Sequence, residues 1–151
     1  MPAPTDPAAL GALYQELILD HYRRPRNKGE LADADAHAAL KNPLCGDEIE
    51  VQLSLDGDRV REIRFAGRGC SISQASASMM TQLARGRTAA ELAVLTDRFA
   101  ALLRGDATAA ADEALGDLRA LSGVSRFPSR HRCATLAWDA MRRALAASGA
   151  L

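Results

Sequence analysis

The sequence predicts an α+β fold, a small antiparallel sheet of about three strands packed against several helices. Apolar and polar residues alternate from Ile49 to Leu55, and Asp56-Gly57-Asp58 separates that run from a second one, Val60 to Phe65, which is hairpin chemistry. On both sides of the hairpin the apolar residues recur at helical spacing instead. With 151 residues, 48% of them hydrophobic, the chain can bury one core without staples, so a single domain over residues 1–151 is expected.

The first helix is expected to open at Thr5-Asp6-Pro7, an oxygen-bearing cap with proline near the first turn. Leu10, Leu13, Tyr14, Leu17, Ile18 and His21 form its periodic face, and Pro25 ends it. Asn27 to Lys41 has no clear period and reads as loop; Asn42-Pro43 is a turn signal. In the second strand Val60 and Ile63 are three residues apart and share a face only if a bulge intervenes or the strand starts after Val60.

After Gly67-Arg68-Gly69-Cys70, residues Ile72, Ala75, Met79, Met80 and Leu83 predict a helix with Ser71 or Ser73 as its cap and Gly86 as its terminator. Thr88 and Glu91 form a capping box for a helix through Leu92, Leu95, Phe99 and Leu103 that stops at Gly105. Ala107 to Ala111 reads as helix, and another is expected around Leu115, Leu118 and Leu121. Gly123 and Pro128 then break the chain. Ser129 can cap a last helix that buries Cys133, Leu136, Ala137, Ala140, Met141 and Leu145.

Lys and Arg (19) balance Asp and Glu (19), so no net field exists to hold nucleic acid or an anionic membrane face. Met1 to Asp6 shows no basic stretch followed by an apolar run, and no uncharged apolar segment is long enough to span a bilayer. A cytoplasmic protein is expected. Three widely separated cysteines suit neither a disulfide framework nor a CxxC pair, which leaves metal binding, thiol chemistry or plain burial.

Cys45, Cys70 and Cys133 each stand where a loop meets a regular element, a placement that favours function over packing. Cys45-Gly46-Asp47 sets a thiol and a carboxyl two residues apart, with a glycine between them that lets the backbone fold tightly. Three thiolates and a carboxylate satisfy tetrahedral zinc, and iron in a sulfide cluster is the competing occupant. Such a zinc site is formally anionic, and Arg130 and Arg132 flank the third cysteine. His21 and His131 are further potential ligands.

Four segments resemble the IscU/NifU-like family of iron-sulfur cluster assembly, in order along the chain: His21 to Asn27, Asn42-Pro43-Leu44-Cys45-Gly46-Asp47, Gly67 to Ser76, and Phe127 to Leu136. The cluster scaffolds of that family carry a histidine directly before the last cysteine and a Leu-Pro-Pro-Val-Lys motif upstream. Arg132 and Phe127-Pro128-Ser129-Arg130-His131 stand there instead, and the interval from Gly86 to Cys133 is longer. Both departures resemble the SufU-type branch, with an insertion expected around residues 105–123.

The resemblance implies an IscU/NifU-like fold and a zinc-dependent sulfurtransferase, fed with persulfide sulfur by a SufS-type cysteine desulfurase and passing it to a downstream iron-sulfur scaffold. It implies zinc on Cys45, Asp47, Cys70 and Cys133, with Cys45 as the sulfur acceptor, freed when a histidine of the desulfurase replaces it on the metal. Arg130 is then expected to support the site from outside the ligand set. His131 stands where that branch commonly has an apolar residue, and Arg132 where it has lysine. The alternative implied by the wider family is a scaffold on which a cluster is built and handed over.

Overall fold

The computed structural model describes residues 7–151. Helix α1 runs Pro7–Arg23; its expected cap at Thr5-Asp6 lies outside the described residues. Three strands follow, β1 Ala36–Asn42, β2 Asp47–Asp56 and β3 Arg59–Arg68, in a sheet ordered β1-β2-β3 with both pairings antiparallel. The remaining α-helices are α2 Ser71–Ala84, α3 Ala89–Leu103, the short α4 Ala107–Ala110 and α5 His131–Ser148. Between α4 and α5 the chain runs as a 3-10 segment, Glu113–Arg126, and a single 3-10 turn, Pro128–Arg130.

The hairpin forms where alternation places it, with Ile49, Val51 and Leu53 of β2 and Val60, Ile63 and Phe65 of β3 all buried. The register explains the odd spacing in β3: Ser54 pairs with Glu62 and Leu55 with Val60, so Arg61 is the extra residue of a bulge. Arg61 turns its guanidinium onto Ser54 Oγ, at 2.6 and 3.1 Å.

β1 corrects the loop expected at Asn27 to Lys41. Alanine, histidine and lysine have little strand propensity, yet Ala36 pairs with Leu53 and the register holds to Asn42 opposite Asp47. Tertiary cover decides the outcome, because α5 lies across β1 and β2 and hides Ala36 and Asn42.

Helix α2 is capped by Cys70, not by either serine: the Cys70 sulfur accepts from the Ser73 N–H at 3.5 Å. α3 has the expected capping box of Thr88 and Glu91. α5 has no side-chain cap, since the Pro128–Arg130 turn leads straight into it and leaves Ser129 outside that role. Its predicted face is buried in full, from Cys133 to Leu145. Trp138 stacks on Phe99 of α3 with ring centroids 5.2 Å apart.

Around Leu115 to Leu121 the expected helix is 3-10 and broken at Gly116, whose φ of 52° and ψ of −132° no helix accepts. Leu115, Leu118 and Leu121 are nonetheless fully buried against α1, α2 and α3. Asp106 and Asp112 cap the starts of α4 and of this segment. Among the described residues, no helix is long and apolar enough to cross a membrane.

Candidate metal centre

The β1–β2 turn builds the centre from its shortest-range end. Asn42 and Asp47 close the ladder, and the Asn42 carbonyl accepts from Cys45 N–H at 3.2 Å and Gly46 N–H at 2.9 Å. Gly46 takes φ of 68°, the left-handed conformation that lets the loop turn back on itself. Cys45 and Asp47 are thereby brought to the same side. Asp47 is completely buried, Cys45 partly exposed, and Leu44 at the loop tip is 87% exposed.

Cys133 arrives from the first turn of α5 and is completely buried. One ligand atom each from Cys45, Asp47 and Cys133 lie within 4.8 Å of one another. The Cys133 thiol donates to the Cys45 sulfur at 3.1 Å. Cys70 stands at the edge of this trio: its backbone N–H donates to Asp47 Oδ1 at 3.0 Å while its sulfur caps α2. Of the four residues expected at the centre, three converge directly, and the fourth is held to them through the Asp47 carboxylate.

Gly69 makes that closeness possible. A Cβ there would stand 2.5 Å from Asp47 Oδ1 and 2.3 Å from Ser73 Oγ, so with any other residue those side chains must shift from the places they hold against the β3–α2 turn.

The electrostatics are those of a site crowded with incipient anions. Burial pushes the Cys133 thiol well above its ordinary range, and the neighbouring Cys45, Cys70 and Asp47 push it further. Arg130 is held more firmly in its charged form by hydrogen bonding to Cys133, by the charge of Cys70 and by hydrogen bonding to Cys45. Sulfur and oxygen donors, gathered on a buried floor and opposed by one exposed arginine, fit a borderline-soft divalent cation; the donor types match zinc.

The two histidines differ from the cysteines. His21 is completely buried, and both ring nitrogens are engaged, Nδ1 with Ser78 Oγ at 2.8 Å and Nε2 with Asp117 Oδ2 at 2.9 Å. It joins α1, α2 and the 3-10 segment and has no nitrogen left for a metal. His131 lies outside the converging trio, and its Nε2 is buried without a partner. Arg132 faces away along α5, where it donates to Asp139 at 2.8 Å.

In the sequence Asn42 is a turn residue and the first residue of the Asn42–Asp47 motif, with no role of its own at the centre. In the structure it is 3% exposed, and its side-chain amide faces both Asp47 and Cys133.

A sequence profile of the NifU-like N terminal domain matches residues 13–148. The chain is 45% identical to the zinc-dependent sulfurtransferase SufU of Bacillus subtilis (strain 168), over 92% of this chain and 93% of that protein. It is also 41% identical to the iron-sulfur cluster assembly scaffold protein IscU of Streptococcus pyogenes serotype M1, over 90% of this chain and 84% of that one. Among solved structures it resembles a protein of Fervidobacterium islandicum AW-1 described as an iron-sulfur cluster assembly scaffold for the SUF system. The TM-score is 0.80 at 30% identity, covering 89% of this chain and 97% of that one.

Proposed function

Because the chain belongs to the NifU-like N-terminal domain family, we propose that it is a zinc-dependent sulfurtransferase of the SufU type. In this reading it is a cytoplasmic enzyme that takes sulfur from a SufS-type cysteine desulfurase and passes it to a downstream iron-sulfur scaffold. The supporting observation is the asymmetry of the centre. Asp47 and Cys133 are sealed in the core, whereas Cys45 sits partly exposed on a tight loop beside a bare Leu44.

Cys45, Asp47, Cys70 and Cys133 would hold the zinc, which when bound supplies the positive charge that keeps thiols deprotonated at neutral pH. The Cys45 thiolate attacks the outer sulfur of the desulfurase's cysteine persulfide. A new S–S bond forms on Cys45 as the desulfurase S–S bond breaks, and the bonding pair returns to the desulfurase cysteine as a thiolate. One persulfide and one thiolate go in and come out, so no oxidant, reductant or proton is required. Arg130, held in its charged form by Cys133, Cys70 and Cys45, offsets the negative charge on both sides of the transfer. Leu44 gives the partner an apolar contact beside the acceptor.

The test is a desulfurase turnover assay with metal analysis. The purified chain is expected to hold about one zinc and to accelerate its cognate desulfurase, and Cys45→Ala to abolish the acceleration; equal acceleration by the variant contradicts the acceptor role. The likeness to a named scaffold supports a second reading, in which the same four residues carry a cluster as cargo. That reading predicts a brown, transferable cluster after anaerobic reconstitution with iron and sulfide.

A further inference from the structure

Cys45 and Cys133 are both thiols, 3.1 Å apart, and both help to hold Arg130 in its charged form. Their environments differ in burial, Cys133 being completely buried and Cys45 partly exposed, and in one buried amide that reaches only Cys133. Asn42 ends β1 opposite Asp47 in the ladder, and its side chain is buried between β2 and α5. Its Nδ2 donates to Asp47 Oδ2 at 3.4 Å and to Cys133 Sγ at 3.8 Å. A carboxylate only accepts, so the atom facing it is the amide nitrogen and not the oxygen. The remaining carboxylate oxygen, Oδ1, is held by the Cys70 N–H at 3.0 Å.

Cys45 receives nothing from this amide. Its link to Asn42 runs through the backbone alone, Cys45 N–H to Asn42 carbonyl, and any residue at position 42 can supply that carbonyl. The Asn42 side chain is thus a selective clamp on two of the arms. Being neutral, it steadies two anions without competing with a cation for them, and it keeps its donors at every pH the protein meets.

We propose that Asn42 is the positioning residue that decides which of the two adjoining thiols, Cys45 or Cys133, is released: it holds Asp47 and Cys133 as standing arms and leaves Cys45 as the arm free to swing on its loop, while Cys70 is held separately by the start of α2. This inference rests on the zinc sulfurtransferase reading and adds to it a reason, internal to this chain, for the acceptor being Cys45 and not its neighbour.

The experiment is limited alkylation of the zinc-loaded full chain with iodoacetamide, each cysteine followed by peptide mass, beside zinc release to a chelator. In the wild type Cys45 is modified first. In Asn42→Ala and Asn42→Leu, Cys133 is modified as early as Cys45, and zinc leaves about tenfold faster. Leucine keeps the branched shape of asparagine and fills its site but has no donor, so a packing role predicts that Asn42→Leu retains the wild-type order while Asn42→Ala does not. That pattern, or a preserved Cys45-first order in both variants, overturns the proposal. A variant that loses the native circular-dichroism spectrum is replaced by Asn42→Ser, whose hydroxyl is too short to reach both partners, and is read by the same criteria. A wild-type chain that binds no zinc overturns the underlying reading as well. A zinc-loaded wild type with unchanged variants overturns only the role of Asn42.

Discussion

The backbone N–H of Cys70 donates to Oδ1 of Asp47 at 3.0 Å, tying the start of α2 to the start of β2 through the carboxylate at the heart of the candidate metal centre. The contact depends on Gly69, because its missing Cβ would fall 2.5 Å from that same oxygen. The centre is assembled by two close backbone approaches, one at Gly46 and one at Gly69, around a buried acid.

Gly69→Ala is therefore expected to harm metal binding more than folding. Asp47 must rotate away from the Cys70 N–H, which weakens zinc retention about tenfold at a stability cost of about 1 kcal/mol. Chelator competition and urea unfolding on the same preparation check this; unchanged zinc retention contradicts the cradle.

His21 is a structural clamp. His21→Ala leaves a cavity and strips Ser78 and Asp117 of their partner, an expected loss of about 3 kcal/mol. Asp117→Ala removes only the partly exposed end of the chain of contacts and costs less, about 1 kcal/mol. Urea unfolding should give that order with zinc content unaltered at pH 7, whereas loss of zinc in His21→Ala would point to a ligand.

Acid should loosen the 3-10 segment. The Ala114 N–H, then the Arg98 guanidinium, hold the Asp112 carboxyl below its ordinary value of 3.8. A carboxyl depressed in the folded state contributes stability that is present above its unfolded value and lost as pH falls through the folded one. Asp112→Asn, which keeps the oxygen that caps the segment but not its charge, should be less stable than wild type near neutrality, and the two should converge as pH falls through the lowered folded-state value. Melting temperatures across that range measure it; a gap that persists in acid contradicts the charge argument.

Much of this was legible in the sequence, and the exceptions share a cause. Ile49 to Leu55 alternates cleanly, and the α5 face repeats cleanly, so both elements stand where their periods place them. Ala36 to Asn42 has no local preference for a strand and becomes one because β2 and α5 supply its partners. Cys70 caps α2 in place of Ser71 because the turn at Gly69 points its sulfur at the helix N-terminus. Gly116 breaks the helix that the leucine spacing suggested.

The centre follows the same division. Cys-Gly-Asp is a local motif, so the meeting of Cys45 and Asp47 could be read directly, and the α5 face placed Cys133 at a buried helix start. Asn42 could not be singled out, because its function lies in a contact across 91 positions to Cys133, and nothing near it in the chain announces that contact. His21 and Asp117 are separated by 96 positions, which is why a buried, hydrogen-bonded histidine resembled a ligand candidate in the sequence.

The central claim is that Cys45 carries the sulfur, and mass analysis of the zinc-loaded chain after incubation with its cysteine desulfurase and cysteine tests it most directly. The account predicts one added sulfur atom, located on the peptide containing Cys45 and absent from Cys45→Ala; the added sulfur on Cys70 or Cys133, or its persistence in the variant, contradicts it.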